Sequence, residues 1–345
     1  MSRLPDDEHE HLRVFSIDSP EDEDEVDDGL ADDEVVEKPP VSDVVASLLA
    51  GEVRPAELIG LSDLGAADVR LVETAWSGVP VATRLRTVQE LVDMVEEHLD
   101  FHFGRFLRIP LDDEDPRVRQ LAITGLWEDE GADMAGRLCA LMETDESQDV
   151  RAQAAQGLAR FADLAELGQF EPGANLQQRL FAVATNDEES WHVRRRAVEA
   201  ASSFASDPRL PDLIERMFEE DELGLRASAV YAMGRAMDRR WLATTINQFV
   251  SDDAEIRYEA ARAAGMLGDT DALPGLSELA RDDDLEVRLA AITAVGQIGG
   301  SAAVRILRRL VEEAPETDEE AIDDALIEAS ISADPLSLDD ETSVS

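Results

Sequence analysis

One ten-residue pattern recurs along this chain, and it limits the possible folds more than any other feature. Aligned on an aliphatic residue followed by arginine, the copies are VRQLAITGLW (118–127), VRAQAAQGLA (150–159), VRRRAVEAAS (193–202), LRASAVYAMG (225–234), IRYEAARAAG (256–265) and VRLAAITAVG (287–296). A weaker copy, VRLVETAWSG (69–78), precedes them. Successive starts lie 49, 32, 43, 32, 31 and 31 residues apart. A period near 31 with helical periodicity inside each unit marks an array of stacked repeats.

With the aliphatic residue as position zero, positions 0, +4, +5, +7, +8 and often +11 are small or apolar in the six good copies. At about 100° per residue they share one broad helix face. Position +4 is always alanine (Ala122, Ala154, Ala197, Ala229, Ala260 and Ala291), which lets helix axes approach closely. Glycine at +9 (Gly78, Gly234, Gly265 and Gly296) suits close backbone contact or a helix end. Acidic turns such as DDEDP (112–116), SDDA (251–254) and RDDD (281–284) precede the good copies and offer N-cap oxygens near the positive end of the helix dipole. Upstream of these lie amphipathic segments, MAGRLCALM (134–142), LPDLIERMF (210–218), LATTINQFV (242–250) and LPGLSELA (273–280). Each repeat is thus read as two antiparallel helices, A then B. One pair alone cannot bury its apolar face, so neighbours must stack.

Composition agrees. Hydrophobic residues make up 44% of the chain but aromatics only 5%, with alanine and leucine dominant, which favours close helix packing over sheets. The net charge is −47. Residues 1–38 hold sixteen acids against Arg3, Arg13 and Lys38, and residues 312–345 hold thirteen acids and no base. We expect residues 1–40 and 332–345 to be disordered acidic tails. The solenoid is expected over 41–331, with atypical capping repeats at 41–111, regular repeats at 112–311, an insertion near 164–175 and a cap helix at 312–331. So acidic a surface argues against nucleic acid and anionic membranes. One lysine against thirty arginines fits both a salt-rich cytoplasm and a biased genome. The first residues lack the apolar run of a signal peptide, and no stretch reaches the ~18 apolar residues of a membrane span, so a cytoplasmic protein is expected; a monomer is expected separately.

The unit resembles the HEAT-repeat family, and within it the short-unit subtype named after the phycobilisome lyases, whose pattern is D-x-x-V-R-x-x-A-A-x-A-L-G-x-L-G. IRYEAARAAGMLGDTDALPGL (256–276) and VRLAAITAVGQIGG (287–300) follow it most closely, and the resemblance covers roughly 62–311. It implies an all-α fold, a right-handed α-α superhelix. Scaffolds, assembly factors, lyases and a hydroxylase share such repeats, so the fold leaves function open. The hydroxylase-like members bind iron through His-Glu pairs within the repeats. Of His9, His11, His98, His102 and His192, only His9 precedes a glutamate, and it lies in the acidic tail. The bilin lyases resemble this chain in the repeat alone.

The arginines at +1 (Arg70, Arg119, Arg151, Arg194, Arg226, Arg257 and Arg288) are read as a structural ladder, expected to pair with Asp115, Asp149, Asp221, Asp253 and Asp284 of the preceding turns. His98 and His102 at i, i+4 spacing could share a zinc ion, but no further ligands are evident and Phe101, Phe103 and Phe106 suggest packing. Cys139 sits on the apolar face of an A helix and is read as a buried small hydrophobe. The short runs Arg194–Arg196, Arg239–Arg240 and Arg308–Arg309 are set among acids and read as local pairing. Positions +2, +3, +6 and +10 of the B helices point away from the core. They give a strip of Arg160, Arg195, Arg196, Tyr231, Arg235, Tyr258 and Arg262, interrupted by Glu199 and Glu259. Arginine and tyrosine are enriched at interface hot spots. The expected function is a non-catalytic scaffold gripping a protein or peptide along its concave face, without cofactor or metal. The alternative is an enzyme or assembly factor of the lyase-like class.

Overall fold

The computed structural model describes residues 38–97, 100–170 and 176–333. Most of the expected tails, His98, and residues 171–175 of the insertion lie outside these. Lys38, counted above with the acidic tail, instead ties the first helix down, its Nζ donating to Ser62 O at 2.7 Å and to Asp63 at 3.0 Å.

The helices are α1 (Val41–Ala50), α2 (Pro55–Leu58), α3 (Ala66–Trp76), α4 (Val81–Glu97), α5 (Gly104–Leu107), α6 (Pro116–Gly125), α7 (Ala132–Thr144), α8 (Gln148–Gly157), α9 (Ala159–Glu166) and α10 (Leu176–Ala184). They continue as α11 (Trp191–Ala201), α12 (Leu210–Phe218), α13 (Leu223–Arg235), α14 (Leu242–Asn247), α15 (Ala254–Leu267), α16 (Leu273–Leu279), α17 (Leu285–Ile298), α18 (Gly300–Glu313) and α19 (Glu319–Ala333). Among the described residues there is no strand, and no helix is long and apolar enough to cross a membrane.

The B helices α4, α6, α8, α11, α13, α15, α17 and α19 pack side by side as one row, and the A helices α7, α10, α12, α14, α16 and α18 each lie against the B helix that follows. The repeat pattern explains the row. Positions 0, +4, +5 and +8 are buried in all six good copies, from Val118, Ala122, Ile123 and Leu126 through to Val287, Ala291, Ile292 and Val295. The turn carboxylates do cap the B helices: Asp115 accepts from Arg117 N at 2.9 Å, Asp253 from Ile256 N at 3.1 Å and Asp284 from Glu286 N at 3.0 Å.

The +9 glycines Gly234, Gly265 and Gly296 serve close helix contact. A Cβ built on Gly234 would lie 2.5 Å from Ala263 Cα, one on Gly265 3.1 Å from Ala294 Cα, and one on Gly296 2.9 Å from Ala325 Cα. Each glycine thus seats the +7 alanine of the next B helix, or its counterpart on α19. Small residues on both sides draw the row together and gain dispersion contacts that larger side chains would block.

Five of the seven arginines expected to form a ladder pair with carboxylates, but not with those expected. Arg119 donates from Nε and Nη2 to Asp145 at 2.9 and 2.7 Å, and Arg151 to Glu189 at 2.9 and 2.8 Å. Arg194 reaches Glu220 at 2.5 Å, Arg257 reaches Asp282 at 2.7 and 2.9 Å, and Arg288 reaches Asp318 at 2.9 Å. These acids belong to the turn of the following repeat. The preceding turn contributes main-chain carbonyls instead, as Ser251 O and Asp252 O do for Arg257. Asp115, Asp253 and Asp284 are committed to capping, so the guanidinium fork spans from one turn to the next. Neither Asp149 nor Asp221 pairs with an arginine of the ladder.

The first rung also moves. Arg70 of the weak copy is exposed and makes no ion pair among the described residues. Its place is taken by Arg84 on α4, 3% exposed, which pairs with Asp113 at 3.2 Å and Glu114 at 2.6 Å. The fully buried Asp113 carboxylate also accepts from Trp76 Nε1 at 2.7 Å. Thr83 and Thr87 stand where the other copies carry an aliphatic residue and alanine, which hides this repeat from an apolar pattern. In the insertion, α9 and Phe170 fold back on the core, with the Phe170 ring centroid 5.4 Å from that of Phe161.

Candidate functional site

Six residues of the expected strip stand on the B helices α11, α13 and α15, whereas Arg160 falls on α9 because α8 ends at Gly157, and the six form a neutralised network, not a basic stripe. Tyr231 at +6 of α13 and Tyr258 at +2 of α15 become neighbours because those two helices pack through Gly234 and Ala263. Between the rings lies Arg262, its guanidinium carbon 5.4 Å from one centroid and 5.5 Å from the other. Such cation–π contacts contribute about 0.5–2 kcal/mol, more as water is excluded. Arg262 also pairs with Glu259 at 3.2 Å.

A second cluster forms around Glu199 on α11. Its carboxylate accepts from Arg196 Nη1 at 2.6 Å and from Ser228 Oγ at 2.6 Å, with Arg195 Nε 3.5 Å away. Arg195 extends to Glu255 at 2.6 Å, tying α11 to α15 across α13. Arg235 pairs with Asp163 of α9 and donates to Ser203 Oγ at 3.1 Å. Arg160 stands apart: its guanidinium donates to the main-chain carbonyls of Trp127 and Asp129 and lies 4.8 Å over the Phe161 ring. Burial lowers its pKa. The strip therefore comprises a tyrosine–arginine stack, an arginine–glutamate cluster and a separate Arg160.

Burial also acts on Glu259, whose carboxyl is pushed up to about 7, with Glu199 and Glu255 adding repulsion and Arg262 opposing it. Beside the stack an open cleft of about 280 Å³ runs between α15 and α17, lined by Tyr258, Arg262, Met266, Leu289, Thr293 and Gln297. Sequence reasoning missed Asp163 and Glu255, which neutralise Arg235 and Arg195, and Ser228, whose hydroxyl donates to Glu199. Glu255 sits one residue before the α15 motif, just outside the ten-residue pattern. Asp163 comes from α9, outside the regular unit.

The remaining candidates are plain. The His102 main-chain N–H donates to Ser62 Oγ at 3.0 Å, and no group of three His, Cys, Asp or Glu suited to a metal ion occurs among the described residues. Cys139 is buried, which raises its thiol pKa. Arg239 pairs with Asp269 and Asp271, and Arg240 with Asp238.

A family model described as HEAT repeats matches residues 137–234 and 242–326. No curated protein gives a significant match to the sequence. Among solved structures, the E. coli protein YibA is 17% identical with a TM-score of 0.45, the alignment covering 79% of this chain and 95% of that one. Human deoxyhypusine hydroxylase in complex with glycerol is 15% identical with a TM-score of 0.34, covering 84% and 96%. An importin beta structure is 15% identical with a TM-score of 0.46, covering 86% of this chain and 47% of that one.

Proposed function

The chain belongs to the HEAT-repeat family, and on that premise we propose that it is a non-catalytic scaffold that binds a protein or peptide along the exposed face of its B helices. The supporting observation is the Tyr231–Arg262–Tyr258 stack opening onto the cleft between α15 and α17. Two half-buried aromatic rings held by a fixed guanidinium present a broad, pre-ordered surface, so little side-chain entropy is lost on binding. Because Arg195, Arg196, Arg235 and Arg262 already have carboxylate partners, the surface favours a segment offering apolar and hydrogen-bonding groups over an indiscriminate polyanion. The cytoplasm and a monomeric state complete the proposal.

A photo-reactive amino acid placed at Arg196 tests it in cells. A defined covalent adduct is expected there, and it should vanish when Tyr231 and Arg262 are changed to alanine. The same probe on the A helices, at Asp212 of α12, should give none. Identical adducts from both positions would contradict a binding face on the B row.

A further inference from the structure

The ladder has one vacant rung. Arg84, Arg119, Arg151, Arg194, Arg257 and Arg288 each hold a carboxylate from a neighbouring turn. The Arg226 side chain makes no hydrogen bond or ion pair among the described residues, and its buried Nε has no partner. Its guanidinium carbon lies 5.8 Å from the Phe218 ring centroid, the one interaction found for it.

The sequence shows why. The acceptors Asp113, Asp145, Glu220 and Asp282 all stand five residues before position zero of their repeat, and at that place before α15 the chain carries Ser251. A hydroxyl this short cannot replace a carboxylate in bidentate contact with a guanidinium. Next to it, Val250 is 86% exposed, the most open large apolar residue among those described. A cation without its anion, an aromatic ring beside it and a bare valine next to the position that lacks the carboxylate describe a receptor, and the filled rungs show what it receives.

We propose that Arg226 is a docking point for a carboxylate carried on a flexible peptide segment: an aspartate, a glutamate or a terminal carboxylate with an apolar neighbour to cover Val250. The segment comes either from a bound protein or from the chain's own acidic ends. The first source rests on the scaffold reading above. The site itself does not, because it is tested with no partner present and at residues away from the Tyr231–Arg262 stack.

The first arm completes the rung in cis. Ser251→Asp is expected to raise the thermal midpoint, and Arg226→Met in the same chain to erase the gain. The second arm uses acetate alone as the probe, at constant ionic strength, and follows the Arg226 Nε–Hε resonance of the full chain, identified by its loss in Arg226→Met. The resonance is expected to shift saturably in wild type and to stay still in Ser251→Asp. The third arm places a nitroxide on a cysteine at Ser19 or Ser343. Broadening of the Arg226 signal assigns the carboxylate to the chain's own ends, and acetate then competes with it. A saturable acetate shift without broadening assigns it to a partner. An unchanged midpoint in Ser251→Asp, equal acetate shifts in wild type and Ser251→Asp, or neither acetate shift nor broadening, overturns the proposal.

Discussion

Replacing Gly234 with alanine sets two effects of opposite sign against each other. In a helix, glycine to alanine gains up to about 1 kcal/mol through backbone propensity. At Gly234, however, the new Cβ would lie 2.5 Å from Ala263 Cα and 2.9 Å from Ala263 Cβ. A side-chain end could swing aside, but the backbone of α15 cannot, so the two B helices must separate or tilt. Overpacking of this kind costs about 1–3 kcal/mol, and such close backbone approach belongs at the upper end. Packing wins, and G234A should lose roughly 1–2 kcal/mol net. Gly136 on α7 is the matched control, because a Cβ there meets nothing within 4 Å. G136A should be neutral or gain up to about 1 kcal/mol. Urea unfolding followed by far-ultraviolet circular dichroism reads both, as a shift in midpoint at unchanged slope. A G234A midpoint at or above wild type would refute the inferred closeness of α13 and α15.

At the first rung, D113A leaves the Arg84 guanidinium buried without its innermost partner and should cost about 3–5 kcal/mol in the same assay. E114A, at a side chain 80% exposed, should cost less than about 1 kcal/mol. Glu259 sets a pH dependence. Its folded pKa is raised from 4.5 to about 7, so its contribution is fully present below pH 4.5 and is lost as pH rises through 7. That span corresponds to at most about 3 kcal/mol. Relative to wild type, E259Q should therefore gain stability between pH 5 and 8. Parallel stability–pH curves for the two proteins would show that this carboxyl is not held neutral.

The repeat unit was legible because its chemistry is local: alanine at +4 and a small residue at +9 leave their mark in ten residues. Buried positions such as Ala197 and Ala260 follow directly from it. The repeat on α4 was not legible, because Thr83 and Thr87 do the packing that an aliphatic residue and alanine do elsewhere. Partner choice in the ladder was hidden for a different reason. Asp253 and Asp282 are both near Arg257 in a repeat array, and sequence alone favours the nearer. The capping hydrogen bond from Ile256 N occupies Asp253, leaving Asp282 to the guanidinium. The strip read as basic because Asp163 on α9 and Glu255 on α15 lie on other helices than Arg235 and Arg195, the arginines they pair with.

At its filled rungs, each arginine of the ladder fastens its own repeat to the next. Double-mutant cycles on Arg257 test it most directly: Arg257→Met combined with Asp282→Asn in one cycle, and with Asp253→Asn in the other. Coupling of roughly 0.5–3 kcal/mol with Asp282 and close to zero with Asp253 is predicted. Coupling to Asp253 with none to Asp282 would contradict the claim and confine the ladder to single repeats.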